Sequence, residues 1–207
     1  MLRLYWADVS ALSPDGSRYD LSDYRRKKLL RLRPDSARRQ GIGAELLLRA
    51  ALRDCAPGIP WPPRITAGKY GRPEWDVKGL IFNLSHSGPL AACAIADRPL
   101  GLDVQAEGEC RSALAERFFA PDERAFLAAS PDPDADFGML WSLKESWIKA
   151  LGTGLATPLA SFSVLEGSPL HPEAAFWHMQ REGVHFALCV PGGVCAKPDR
   201  IIEKQLP

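Results

Sequence analysis

No stretch of this sequence approaches the roughly 20 consecutive apolar residues needed to cross a bilayer. The opening residues, MLRLYWADVS, lack the long apolar core of a secretion signal. Cysteine is sparse and unpaired in spacing. Cys55, Cys93, Cys110, Cys189 and Cys195 are odd in number and none forms a CxxC pair, which argues against a disulfide framework and against a zinc site. Cys93 and Cys189 sit inside LAACAIA and FALCV, where a thiol behaves as a small hydrophobe. Net charge is also nearly missing: 26 basic against 25 acidic residues leave +1. The chain as a whole therefore selects no polyanionic partner, and any phosphate binding must come from a local patch. A glycine-rich nucleotide loop and a Ser-His-Asp arrangement are absent too. What remains is the expectation of a reduced, cytoplasmic protein with no membrane and no nucleic-acid partner.

The 207 residues, 46% of them hydrophobic, suffice for one large domain or two small ones sharing a core. LRLYWADV (2–9) reads as a strand. Residues 20–33 are basic and helical in character. Pro34 interrupts, and Asp35 or Ser36 can cap a helix to about residue 53 with Ile42, Leu46 and Ala50 on one stripe. Residues 57–63 hold four prolines and a glycine and form a break. Strands follow at 81–84, 90–96 and 100–104, then helices at 112–119 and from Pro121. PDPDAD (131–136) reads as a loop, 138–151 as a strong helix, and SFSVLE, EAAFWHMQ and VHFALCV as strands. The tail after Pro198 is expected to be peripheral. The order of elements is that of an α+β fold; LAACAIA and FALCV, as matching buried runs, suit either two halves, residues 1–100 and 101–207, or a chance similarity of two short apolar runs.

Four local features carry chemistry. In WSLKESWIK (141–149), Leu140, Leu143, Trp147 and Leu151 share an apolar stripe of a helix, and Trp141, Lys144, Glu145 and Lys149 share another face. Glu145 and Lys149 are i,i+4 neighbours, which equally describes a solvated ion pair. In GLDVQ (101–105), Asp103 lies between apolar residues at a strand end and shares a face with Gln105. A carboxylate there needs a partner or a metal, and oxygen ligands suit magnesium; an aspartate opening a loop is the plainer reading. NLSHS (83–87) places hydroxyls and an imidazole just past a strand, fit for phosphate or simply for a turn. Arg25, Arg26, Lys27, Lys28, Arg31, Arg33, Arg38 and Arg39 form a basic run with only Tyr24 as an aromatic nearby. That makes it a solvated face or a phosphate site rather than a nucleic-acid surface.

Together and in this order, YGRP (70–73), FNLSHS (82–87), GLDV (101–104), RFFAPDE (117–123), WSLKESWIKALGTGL (141–155) and PLASFSV (158–164) resemble the surfactin-synthetase type of 4′-phosphopantetheinyl transferase. The resemblance runs from about residue 20 to 190. It implies a pseudo-symmetric pair of similar halves with the active site in the cleft between them. It implies magnesium, with manganese as the alternative, coenzyme A as co-substrate, and an acyl or peptidyl carrier protein as acceptor, acted on by a monomer. Asp103 and Glu145 match the family's metal-binding acids, and Lys149 its pyrophosphate-contacting lysine. Ser85 and His86 match phosphate contacts, Arg72 stands beside the nucleotide, and Lys27 lies near the position that holds the 3′-phosphate. Gln105 replaces a glutamate frequent in bacterial members, so it binds the metal with one charge fewer, directly or through water.

The implied reaction is attack of a carrier serine on the phosphorus bearing the pantetheine, with 3′,5′-ADP leaving. Asp103, Glu145, Lys149 and His86 would be the catalytic group, with Glu145 or a metal-bound water as base. Ala113, Leu114, Phe118 and Phe119 would anchor the carrier. A coenzyme A pyrophosphate hydrolase and a non-catalytic coenzyme A-binding protein are the competing readings.

Overall fold

In a computed structural model, the chain is a mixed α and β fold of two units, Met1–Pro99 with Pro198–Pro207, and Leu100–Lys197. The structure describes residues 1–193 and 195–207, with the side chains of Lys69 and Leu155 outside the description. Among the described residues, no helix is long and apolar enough to cross a membrane.

The first unit is a sheet ordered β4-β5-β1-β9 with helix α2 packed on it. Its strands are β1 (Leu2–Asp8), β4 (Ile81–Ser87), β5 (Leu90–Ala96) and β9 (Arg200–Glu203). All seven residues of β5 are buried, as its run of small apolar side chains predicts. Alternation sends Ala91, Cys93 and Ile95 into the core with Tyr5, Ile42 and Leu47. Beside the main sheet lies a short ribbon of β2 (Ile65–Ala67) and β3 (Pro73–Trp75). The tail is not peripheral. β9 runs parallel to β1, from Arg3 opposite Arg200 to Trp6 opposite Glu203. It covers an edge of β1 that would otherwise present unpaired amides, and Lys204 ties it to Asp54 at 3.0 Å.

The basic run lies on two helices of this unit, α1 (Asp23–Leu29) and α2 (Asp35–Cys55), and on the turn between them, which holds Arg31 and Arg33. Ser22 caps α1 by accepting from the Arg25 amide. The cap of α2 is Pro34, with no side-chain bond, rather than Asp35 or Ser36. Half of the run turns out to be internal scaffolding. Arg25 donates to buried Glu45 at 3.2 Å, and Glu45 also accepts the Ser22 amide. Arg26 donates to the carbonyls of Leu21 and Tyr19, Arg38 to those of Pro14 and Leu29, and Arg39 to that of Leu12. Guanidinium forks satisfy loop carbonyls that no helix or strand reaches. Lys27, Lys28, Arg31 and Arg33 are exposed, as is Arg26 despite its two carbonyl contacts.

The second unit is an antiparallel sheet ordered β6-β8-β7, made by β6 (Gly101–Ala106), β7 (Ala174–Arg181) and β8 (Val184–Pro191). Helix α5 (Pro133–Leu151) lies across it, with α3 (Ser112–Phe118) and α4 (Pro121–Ala128) completing the layer. The expected loop at 131–136 is half helix: Asp132 caps α5 by accepting from the Ala135 amide, and Pro133 takes the first helical position, where its missing N–H costs nothing. Gly152 ends α5 in the left-handed conformation, φ 67°. SFSVLE is not a strand. Its backbone is committed elsewhere: Val164 N–H to Glu123, Ser163 N–H to Leu170 O, Leu165 N–H to Ser163 Oγ, and Phe162 O to Lys144.

Contact between α5 and β6 rests on small residues. Gly138, Ser142, Ser146 and Ala150, four apart, are all buried on one face of α5. Ser142 and Ser146 turn their hydroxyls back to the carbonyls of Met139 and Leu143, so the stripe is apolar toward the sheet. A Cβ on Gly101 would collide with the Ser146 carbonyl oxygen and stand 2.5 Å from the Ala150 nitrogen. A Cβ on Gly138 would stand 2.6 Å from the His185 ring. The helix thus buries two faces, and the sequence stripe of Leu140, Leu143, Trp147 and Leu151 describes only one; Leu151 itself is 41% exposed.

Next to this contact, His178 Nε2 meets His185 Nδ1 at 2.9 Å, while His185 Nε2 has no hydrogen-bond partner and lies 3.7 Å from Glu107. Burial, helped by the neighbouring imidazole, pushes His178 down to about 4. Burial also lowers His185, against the pull of Glu107.

Two outcomes follow for stability. Gly101→Ala should cost about 1–3 kcal/mol in urea unfolding, because backbone rather than a flexible side chain is in the way. The folded state binds fewer protons at the histidine pair than the unfolded chain, so their contribution is complete above about pH 6.5 and is lost as pH falls toward 4. His178→Gln should flatten the decline of unfolding free energy over that window relative to the parent protein.

Candidate active site

Asp103 occupies the middle of β6, opposite Ala187 of β8, with its side chain on the face covered by α5. Its position two residues from Gly101 explains why: strand alternation places both on one side, and the glycine admits the helix that brings Lys149 over the carboxylate. Lys149 Nζ donates to Asp103 Oδ1 at 2.5 Å, with the aspartate side chain 7% and the lysine side chain 30% exposed. Glu145, one helical turn before Lys149, is half-buried in the same cluster. Burial raises its carboxyl above the ordinary range, the Asp103 charge raises it further, and the Lys149 charge acts against both. Two carboxylates and one ammonium therefore share one electrostatic neighbourhood.

A dication fits this chemistry. A half-buried carboxyl whose ionisation is opposed by a neighbouring carboxylate is stabilised by any cation that reaches both. Magnesium takes one or two carboxylates and fills its remaining positions with waters or substrate oxygens. Among the described residues, no group of three His, Cys, Asp or Glu side chains forms a metal cage. Asp103 and Glu145 would accordingly hold the ion as a two-carboxylate site open to substrate. Gln105 stands on the Asp103 side of β6, and its amide donates to the Ala106 carbonyl at 3.0 Å. It lines a 180 Å³ cavity with Arg111, Leu114, Phe137 and Trp141.

The other four candidate residues belong to the first unit. Ser85 and His86 lie inside β4 rather than beyond its end, so alternation sends them to opposite faces, Ser85 buried and His86 exposed. β4 is the outermost strand of its sheet. Arg72 is half-buried beside Glu74, just after Tyr70 and Gly71, both at positive φ (60° and 79°). Tyr24 Oη donates to the Gly71 carbonyl at 3.4 Å, which brings α1, and with it exposed Lys27, to the same turn. Of the apolar anchors expected for a partner, Phe119 is core at 1% exposure. Phe118 is half-buried against Trp141 and covered by Arg117, Leu114 lines the cavity, and Ala113 is exposed.

One pair escaped the sequence reading. Lys144, placed there on the polar face, is 1% exposed and donates to Glu123 Oε2 at 2.6 Å and to Phe162 O at 2.7 Å. Glu123, in the first turn of α4, is fully buried and also accepts the amides of Ala120 and Val164. The only available signal was the recurrence of an acid in RFFAPDE and a lysine in WSLKES, and neither pattern states that the two meet.

With this geometry in hand, the comparisons with known proteins become specific. The sequence pattern of the 4′-phosphopantetheinyl transferase superfamily matches residues 99–190, the span that carries β6, α5 and the acidic cluster. A 4′-phosphopantetheinyl transferase of Bacillus subtilis is 38% identical over 162 residues, covering 75% of this chain and 71% of that protein. The 4′-phosphopantetheinyl transferase Sfp of Bacillus subtilis strain 168 is 41% identical over 104 residues, 49% of this chain and 46% of that one. The 4′-phosphopantetheinyl transferase gsp of Aneurinibacillus migulanus is 38% identical over 96 residues, 45% of this chain and 40% of its own length. The chain belongs to the 4′-phosphopantetheinyl transferase superfamily.

Proposed function

We propose that this protein transfers the 4′-phosphopantetheine arm of coenzyme A to a serine hydroxyl of an acyl or peptidyl carrier protein and releases 3′,5′-ADP. The observation that carries the reading is the cluster on β6 and α5, with Lys149 on Asp103 and Glu145 beside them. Two acids and one cation in a partly dry pocket suit a reaction in which charge grows on phosphoryl oxygens. A magnesium ion held by Asp103 and Glu145, or manganese in its place, would neutralise pyrophosphate charge. Lys149 then offers its ammonium to the leaving side of the pyrophosphate. From the first unit, Ser85 and His86 would donate to phosphate oxygens, Arg72 would flank the nucleotide, and Lys27 would meet the 3′-phosphate. Action as a monomer and a cytoplasmic setting are part of this proposal.

In the reaction the carrier serine oxygen forms a bond to the phosphorus bearing pantetheine, and the bond from that phosphorus to the ADP oxygen breaks. The serine proton passes to Glu145. Holding the hydroxyl in line supplies the rest of the advantage. Leu114, Phe118 and the flanking Arg111 and Arg117 form the surface against which we dock the carrier.

The test is intact-mass analysis of apo acyl and peptidyl carriers incubated with the protein, coenzyme A and magnesium. A mass gain of one phosphopantetheine arm that disappears with chelator is expected. Coenzyme A cleaved with carriers unmodified would indicate a hydrolase; coenzyme A bound and intact would indicate a binding protein. Glu145→Gln should lower transfer by about 100-fold or more while coenzyme A still binds. Gln105→Glu, which adds a second carboxylate to the strand face beside Asp103, should lower the magnesium concentration for half-maximal rate by about tenfold, equivalent to ~1.4 kcal/mol.

A further inference from the structure

The stripe Gly138–Ser142–Ser146–Ala150 seats α5 against the sheet but has little relief. Helix packing is specified by side-chain ridges entering grooves, and a smooth face leaves rotation about the helix axis weakly defined. Glu145 is useful only at one rotation, where it stands with Asp103 and Lys149. The flanks of α5 set that angle: Leu140, Leu143 and Ile148 pack in the core, and buried Lys144 adds a directional contact.

We propose that the buried Glu123–Lys144 pair is the positioning element for the acidic cluster: it sets the rotation of α5, and through it the placement of Glu145, without touching substrate or metal. Lys144 directly precedes Glu145, so no rotation can release one and leave the other in place. Its ammonium sits between Glu123 Oε2 (2.6 Å) and Phe162 O (2.7 Å), 4.3 Å from the Phe162 ring centroid and 5.9 Å from that of Phe119. Glu123 cannot follow a turning helix, because its two oxygens also accept the Ala120 and Val164 amides at 2.8 Å each. The anchor thus joins three segments: the start of α4, residues 162–164, and α5. Burial lowers the affinity of Lys144 for its proton and the Glu123 charge offsets part of that, in a place where an apolar pair would pack. Buried ionic pairs in such places are best attested as devices of register.

This inference rests on the assignment of Asp103 and Glu145 as the metal pair, and its test has a readout that needs no turnover. The double variant E123Q/K144M removes both charges and keeps similar volumes. Its affinity for Mn2+, read from the free-ion electron paramagnetic resonance signal, should fall roughly tenfold. Its kcat for carrier modification should fall roughly 10- to 100-fold, the cost of misplacing a reacting group by about 1 Å, with KM for coenzyme A nearly unchanged and a melting temperature close to the parent. A folded double variant with parental Mn2+ affinity and kcat would overturn the inference. If the double variant does not fold, Glu123→Asp, which keeps the charge and withdraws it by one methylene, should show the same split between kcat and KM; parental behaviour there overturns the inference equally. Should the parent itself modify no carrier, the transferase reading fails, and the Mn2+ comparison still decides the positioning role.

Discussion

The structure of the second unit depends on how closely α5 can lie on β6. Gly101 has no Cβ because the Ser146 carbonyl and the Ala150 amide occupy that space. Every chemically interesting group follows from the closeness. A helix held farther off by ordinary side chains would leave Lys149 short of Asp103, and Glu145 would face water rather than a second carboxylate. The same contact dries the cluster, which is why the Glu145 carboxyl holds its proton more tightly than an exposed one. Burial and like charge both weigh against ionising it, and both effects reverse when a cation arrives. The site is therefore tuned toward a divalent ion and a phosphate-bearing ligand by packing as much as by residue identity.

Charges in this protein divide into two kinds, and the division is one of burial. Arg25–Glu45 in the first unit and Lys144–Glu123 in the second are dry, hydrogen-bonded on both sides, and tied to backbone groups. They hold helices in place. Lys149–Asp103 is half open to solvent on the lysine side, and exposed Lys27 and His86 stand at surfaces of the first unit. Those groups can exchange partners when a ligand comes. A buried pair that loses one member is costly, whereas a half-exposed ammonium can move at small cost.

Much of this was legible in the chain. Alternation in LAACAIA and FALCV, and the GLDV and WSLKES stretches, located the buried strands, the acid at the strand and the helix that meets it. Local signals misled where backbone groups had non-local partners. SFSVLE has strand composition, yet its amides and carbonyls go to Glu123, Ser163 Oγ, Leu170 and Lys144. PDPDAD has loop composition, yet Asp132 and Pro133 together begin a helix. The basic run looked uniform, but four of its six guanidinium groups end on backbone carbonyls or Glu45. Ser85 and His86 sit within a strand instead of past it, because Ala92 and Ala91 of β5 continue the ladder to that point. For SFSVLE and Arg25 the deciding partner, Glu123 or Glu45, is remote in sequence, whereas PDPDAD is decided by a local cap that its composition conceals.

The central claim is that Asp103 and Glu145 hold one divalent ion, with Lys149 turned toward the pyrophosphate. The most direct measurement is anomalous diffraction from crystals grown with coenzyme A and Mn2+. The account predicts a single strong peak within bonding distance of both carboxylates, pyrophosphate oxygens among its remaining ligands, and Lys149 Nζ moved from Asp103 to the phosphate. A peak away from these two residues, or bound coenzyme A with Lys149 still on Asp103 and no ion beside Glu145, would contradict it.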